Sequence, residues 1–520
     1  MRKRSSEMLW RIFLFLHALG LGAVTVLCVM ETQDGISAWA MTFWPLAGIA
    51  ALVGLAMAGR RVERFLEQQE RWMLPLFFIL YTFGMLRLTL HSRGIPYNDH
   101  AALIQGAKYL AGQAEEMNWN YFARWNHNIM PMLFLSCVFR VADRLHMMDG
   151  YYLVLALNCV QVLAAMYCVY RLGRRYSRYG VVSAWTGMLM MAVFLPVLGH
   201  AQALYTDAFS YSLGIVAFSV WLWGYERRKA GKRNWPMLIL AGVIWAFGFE
   251  MKATVIISLL AVLIYLVLSE DWKEVLRNAA GLLTPVIFTA IACSLYIRTL
   301  PVMEYQDTWG VPQIGYFIGV GLEGNGGFDM ESEYVLGVTG IWGMENKKEF
   351  SRKFILEHLN RFWDYDHVVS KVRYNFATGV MRADDFLMEA ENNGFLYNCI
   401  SYNGFYHDTY QVWVTAYWYM LLECTAMACV LLGIQKGKTG RGESPAVVVP
   451  LVSVCGIMLY VMLFEANNRQ LYNHIPMIFC GANMGMWLLV QTVEEGFRKG
   501  KGGQKSDLRF CVEKKRSDML

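Results

Sequence analysis

The stretch NIMPMLFLSCVFRVADRL, residues 128–145, decides how the chain is threaded. It is apolar enough to pass for a membrane span, yet Arg140, Asp143 and Arg144 crowd its end. Counted as a span, it would put the GRRYSRYG connector that follows on the outer side and invert most later basic loops, against the positive-inside tendency. Read as an interfacial or re-entrant helix, it leaves the basic connectors together on one side.

That threading matters because the rest of the chain is built for a bilayer. Of 520 residues 56% are hydrophobic and only 17% charged, and the mean hydropathy is +0.31. A soluble surface does not carry such a balance, so the chain reads as an integral membrane protein. Apolar runs of roughly 20 residues, the length that crosses the hydrocarbon as a helix, recur almost from end to end. They fall at about 9–30, 39–58, 73–91, 150–170, 180–198, 208–224, 235–250, 253–269, 278–297, 411–432, 447–465 and 473–491, giving about 12 transmembrane helices in an all-α polytopic bundle. The first follows the basic start MRKRSS but lacks a small-residue cleavage site and is closely followed by another span, so it reads as a retained helix.

Charge is placed for topology. Arg60, Arg61, Arg64 and Arg71; Arg171, Arg174, Arg175 and Arg178; Arg227, Arg228, Lys229, Lys232 and Arg233; Lys436, Lys438 and Arg441; and the tail from Arg498 all lie in short connectors or at the end, and are expected on the cytoplasmic face. The net charge of +6 is too modest to suggest a nucleic-acid binder. Nearly all of the 11 cysteines lie in apolar runs, with neither a disulfide framework nor a CxxC signature. The expected organisation is a transmembrane core over 1–297 with a first outer loop at 92–149, an outer loop region at 298–410, C-terminal helices at 411–491 and a basic cytoplasmic tail at 492–520. Within the long loop KKEFSRKFILEHLNRFW reads as an amphipathic helix packing on the membrane face.

Polar groups that could do chemistry collect in the segments left on the outer side. Asp99, in PYNDHAALIQGAKYLAG, stands a few residues beyond the third span, where a low-dielectric wall can tune a carboxylate toward general-base work; its alternative role is a helix N-cap. Asp207, in LYTDAFSY, occupies the same kind of place, with capping by Thr206 or Asp207 as its rival. YFARWNHNIMP supplies Arg124, His127 and Asn128. Glu465 and Arg469 flank the turn FEANNRQLYNHIP, where an arginine could hold a phosphate bidentately or simply pair with Glu465. Lys252 sits between two apolar runs, near Glu250. No His, Asp or Cys cluster has metal-ligand spacing, so no metal or other cofactor is expected.

Taken in order, the Asp of the first outer loop, the interfacial helix after RWNHNIMP, the later LYTD and the Glu-Ala-x-x-Arg turn resemble the GT-C superfamily of membrane glycosyltransferases, in its bacterial branch related to protein mannosyltransferases and to aminoarabinose and RgtA-type transferases. The resemblance implies Asp99 as the catalytic carboxylate of the first outer loop and LYTD as a second acidic site, so that Asp99 and Asp207 are both expected as catalytic residues. It also likens QIGYFIGVGLEGNGGFD to an outer-loop motif of Gram-positive members, while His100 stands where many relatives carry a second acid. The implied activity is transfer of a sugar from a polyprenyl-phosphate donor to an extracytoplasmic acceptor: an envelope glycan, teichoic acid, lipid or protein. The implied place is a bacterial cell membrane with the active site on the extracytoplasmic side.

On this reading Asp99 takes the acceptor proton with inversion at C1, and Arg469, helped by Lys252, Arg373 or Arg382, receives the phosphate. His100, Arg124, His127, Asn128 and Glu465 join Lys252 and Arg469 as expected substrate contacts. The competing classes are a transporter or flippase of lipid-linked sugars and a non-catalytic polysaccharide-export subunit. A transporter favours ionisable groups near the bilayer midplane, whereas here they gather at the ends of the spans.

Overall fold

The computed structural model describes residues 2–30, 38–61, 63–147, 149–177, 179–439 and 444–500. The basic tail beyond 500, together with Arg178 and Arg441, lies outside the described residues. Each of the twelve apolar runs is largely helical. Among the described residues, eight helices are long and apolar enough to cross a membrane on their own, and the other runs form the shorter apolar helices Phe43–Gly59, Gly180–Ala192, Trp235–Met251 and Ala253–Ser269. The protein is an all-α polytopic membrane protein.

Charge pairing sorts the two ends of the bundle. Arg174 bonds Glu70, Arg175 bonds Glu226, Arg228 bonds Glu274 and Lys229 bonds Glu270, so three basic connectors and the connector carrying Glu270 and Glu274 meet at one end. At the other end Arg93, just past the Glu63–His91 helix, reaches Asp149 at 2.7 Å and lies 4.2 Å above the ring of Tyr151. That contact bears on the threading of residues 128–145. The Ile129–Arg144 helix begins beside Tyr121 and is followed within a few residues by Asp149, so both of its flanks lie at the end of the bundle that carries Arg93.

Packing is deepest in the C-terminal helices. The long helix His407–Thr439 lies against Ile475–Gly500, and Gly485 makes the approach possible, because a Cβ there would land in the carbonyl of Cys424. Without a hydrophobic difference between lipid and helix, close backbone contact of this kind is what holds spans together. Glu63–His91 and Trp272–Ile297 sit at the periphery, showing Ile79, Phe83, Phe288 and Ile291 outward, as lipid-facing helices do.

The apolar run at 180–198 is not one helix. It stops at Ala192, resumes as the short helix Pro196–Ala201 and turns again before Thr206, with everything from Pro196 onward buried. Broken backbone inside a membrane protein must find partners in the protein itself. Asn158 provides them, donating to the carbonyls of Ala201 at 3.0 Å and Ala203 at 2.8 Å.

The long outer region has its own core of Val311, Tyr316, Val320, Leu322, Tyr334, Val335, Val338 and Phe354. The expected amphipathic helix is Met344–Glu357, with a short 3-10 turn at Leu359–Trp363. Its buried face, Lys347, Ser351 and Phe354, packs on this outer core rather than on the membrane face. The reason is polar as well as apolar: Lys347 donates to the carbonyls of Thr308 and Gly310, and Ser351 accepts from Tyr334 at 2.8 Å. The region docks on the bundle through Lys371, which donates to the Gly321 and Phe464 carbonyls, and through Asn375, which accepts from the Asn467 amide at 2.8 Å.

Candidate functional site

The site lies where the broken backbone, the 464–469 turn and the outer region converge. The helix Asn98–Leu110 begins with Tyr97 as its cap residue and no side-chain cap bond, so neither Asn98 nor Asp99 is spent as an N-cap. The half-buried Asp99 carboxylate instead accepts from the Tyr205 hydroxyl at 3.4 Å, and the Tyr121 hydroxyl bonds it as well. Asn128, almost wholly buried, donates to the Tyr121 hydroxyl at 2.7 Å and also bonds Tyr205. Asn128 therefore sets the two tyrosines that set Asp99, and its own Oδ1 is buried without a partner among the described residues.

Asp207 is not a cap either: the short helix Thr206–Ser210 has Tyr205 at its cap position without a side-chain bond. Its side chain is 0% exposed and is held by two cations, Lys252 on one oxygen and the Nε of Arg469 at 3.3 Å on the other. Arg469 also reaches Asp385 at 3.5 Å and stacks over Tyr205, 5.0 Å to the ring centre. Asp385 in turn bonds Arg382 at 2.7 Å. The site is thus a chain of alternating charge, Lys252, Asp207, Arg469, Asp385, Arg382, with Asp99 close enough to act electrostatically on Arg469. A carboxylate with no water around it must be matched in this way.

A layer beneath holds the turns in register. Asn473 donates to the Thr254 hydroxyl at 2.8 Å, tying the Asn468–His474 turn to the turn that carries Lys252. Tyr472 stacks on the His200 ring with 3.9 Å between centres.

The expected contact residues divide three ways. Glu465 faces the group from the 464–469 turn, interacting with Arg469, Arg382 and Asp99, and burial pushes its carboxyl up from the ordinary range. His127 is exposed, with Nδ1 3.1 Å from Gln313 Oε1, and interacts electrostatically with Asp99, Lys252 and Arg469; the protein mass around it holds its pKa down. An accessible ring deep among protein groups marks an open cleft. His100 is buried, its Nε2 accepts the Leu204 amide at 2.8 Å, and burial lowers its pKa to about 3. Its Nε2 is thus engaged by backbone, which fixes the approach to Tyr205. Arg124 is turned toward the outer region, over Trp125 and facing Tyr316 and Lys347.

Sequence reading missed Tyr205, Tyr121 and Asp385 as members. Tyr205 stood in the quoted LYTD, but Asp385 comes from TGVMRADDF, in the long loop, where only its double acid was a signal. Among the described residues no group of three or more His, Cys, Asp or Glu is placed to hold a metal.

Residues 124–297, about a third of the chain, match the family described as dolichyl-phosphate-mannose-protein mannosyltransferase. No curated protein and no solved structure matches. The match is consistent with a GT-C-type membrane glycosyltransferase and takes in Asn128, Tyr205, Asp207 and Lys252, while Asp99, Asp385 and Arg469 lie outside it.

Proposed function

We propose, with that family match as premise, that the protein is an integral membrane glycosyltransferase that moves a sugar from a polyprenyl-phosphate donor to the hydroxyl of an acceptor at the membrane surface. The observation that carries the reading is the placement of one accessible carboxylate, Asp99, beside a buried block of cations at the end of a membrane bundle. A lipid-anchored phosphate sugar presents its reacting carbon at that depth, with the tail in the bilayer.

Asp99 accepts the proton of the acceptor hydroxyl as its oxygen forms a bond to C1. The bond from C1 to the phosphate oxygen breaks on the opposite face, so the anomeric centre inverts. The leaving lipid phosphate gains one negative charge in this step, and Arg469 and Lys252 are the groups that meet it. Asp207, fully buried between those cations, positions them and does not touch the acceptor. Tyr205 and Tyr121 orient Asp99 while donating to its charged form. Glu465 and His127 line the cleft on the side from which sugar hydroxyls approach. The active site on this reading faces the extracytoplasmic side of a cell membrane, because the basic connectors occupy the opposite end of the bundle.

The test is donor class. Purified protein in lipid is offered radiolabelled hexose on a polyprenyl monophosphate, or the same hexose on a nucleoside diphosphate, with a hydrolysate of envelope glycan as acceptor pool. The reading expects transfer from the lipid phosphate alone. Transfer from the nucleotide sugar, or none from any lipid donor, would overturn it.

A further inference from the structure

The segment Thr378–Phe386 reaches from the outer region into the charge chain, and it is held there in an unfavourable shape. Met381 and Arg382 both have left-handed backbone, with φ of 54° and 53°. Side chains with a Cβ avoid that region, and two in succession need an outside constraint. The constraint comes from the bundle. His200, buried, stands 3.0 Å from the Met381 carbonyl through Nε2, so that atom carries the proton and donates. Tyr419 donates to the Ala377 carbonyl at 2.9 Å and Trp418 to the Phe376 carbonyl at 3.1 Å, fixing the approach to the turn. Tyr402 bonds Asp384 from the far side.

What this shape presents is Arg382. Its side chain is 40% exposed, against 18% for Arg469, and its Nε lies 2.7 Å from Asp385 Oδ2. The same oxygen is 3.5 Å from Arg469 Nη1. One carboxylate oxygen thus lies between two guanidinium groups, one deep and one open to the cleft. Such a pair is a fitting clamp for a phosphate, whose several oxygens can each take a guanidinium fork.

We propose that Arg382 is a second phosphate-binding cation, supplied by the outer region, and that Asp385 is an internal anion which bridges Arg382 and Arg469 and keeps both within reach of one phosphate until the lipid phosphate takes its place between them. The proposal rests on the lipid-phosphate reading above and adds a competitor to it. Asp385 offsets the repulsion between these two like charges in the empty site, and it lowers affinity for any anion that enters. His200 is a positioning residue, acting on Arg382 through the Met381 carbonyl.

The experiment measures binding of farnesyl phosphate to the full-length protein in detergent, with farnesol as the uncharged control, for parent, Asp385→Asn, Arg382→Gln, Arg382→Lys and His200→Gln. The proposal expects Asp385→Asn to bind farnesyl phosphate about tenfold more tightly and Arg382→Gln about tenfold more weakly, the scale of one hydrogen bond to a charged group. Farnesol binding stays level, Arg382→Lys recovers part of the loss, and His200→Gln, whose amide can donate to Met381, stays near the parent. Unchanged or weaker phosphate binding by folded Asp385→Asn overturns the proposal, as does parent-like binding by Arg382→Gln or a parent that does not prefer the phosphate to the alcohol. Sugar transfer separates the two claims: transfer with indifferent Asp385 and Arg382 sinks only the clamp, and phosphate binding that responds as expected in a protein without transferase activity sinks only the enzyme.

Discussion

Lys252→Met removes one of the two cations that make a fully buried carboxylate tolerable. Asp207 has no exposed side-chain surface and Lys252 only 10%. Methionine fills nearly the same volume, so the change isolates charge. After it, Asp207 Oδ1 has lost its partner while Oδ2 keeps Arg469 at 3.3 Å. Orphaning a buried charge completely costs about 3–5 kcal/mol, and with Arg469 retained the loss here should be about 2–3 kcal/mol. The assay is unfolding in detergent by a denaturant series, run as a cycle with Asp207→Asn and the double variant. Because the residues touch, the double variant should recover on the order of 1–3 kcal/mol relative to the sum of the singles. Single losses that simply add, or a Lys252→Met protein as stable as the parent, would refute the claim that this pair carries the buried charge.

Arg469→Lys keeps a positive charge but cannot reach both Asp207 and Asp385, which the guanidinium bridges through Nε and Nη1; initial-rate kinetics should show KM for the lipid donor rising about tenfold or more. His100 is held neutral with its pKa lowered to about 3, so the unfolded chain binds a proton below pH 6.5 that the native chain refuses. Stability should therefore fall as pH drops from 6.5 toward 3, by at most ~1.4 kcal/mol per pH unit from this group. His100→Gln, whose amide oxygen can still accept the Leu204 amide, should flatten that window in melts taken at several pH values. Gly94→Ala would drive a Cβ into the Phe386 carbonyl, next to the one isolated bridge joining Gly94 and Ala390 among the described residues; limited proteolysis should then cut the 378–394 segment faster while the spans stay protected.

The fold was legible because membrane insertion reads composition locally. Most of each apolar run became helix, since a span must satisfy its own backbone whatever its neighbours are. Residues 128–145 needed an argument from charge balance, and the Arg93–Asp149 contact agrees with it. Hydropathy could not show that the 180–198 run breaks, because the break is made possible by Asn158, distant in sequence. The structure brings Asp99, Asp207, Lys252, Glu465 and Arg469 together, all residues that stand at ends of apolar runs. Asp385 and the His200 contact were invisible, because they depend on how a loop of roughly a hundred residues folds back onto the bundle. The backbone partner of His100 was hidden for a similar reason: the Leu204 amide belongs to another turn.

The most direct test of the account is sugar transfer from a polyprenyl-phosphate donor by Asp99→Asn, measured in single turnover beside the parent with donor binding checked separately. An amide keeps the shape and the Tyr205 contact but cannot take a proton. The account predicts intact donor binding and a transfer rate lower by about 10²–10⁴, the range for loss of a general base. Transfer at the parental rate by a folded Asp99→Asn protein would contradict it.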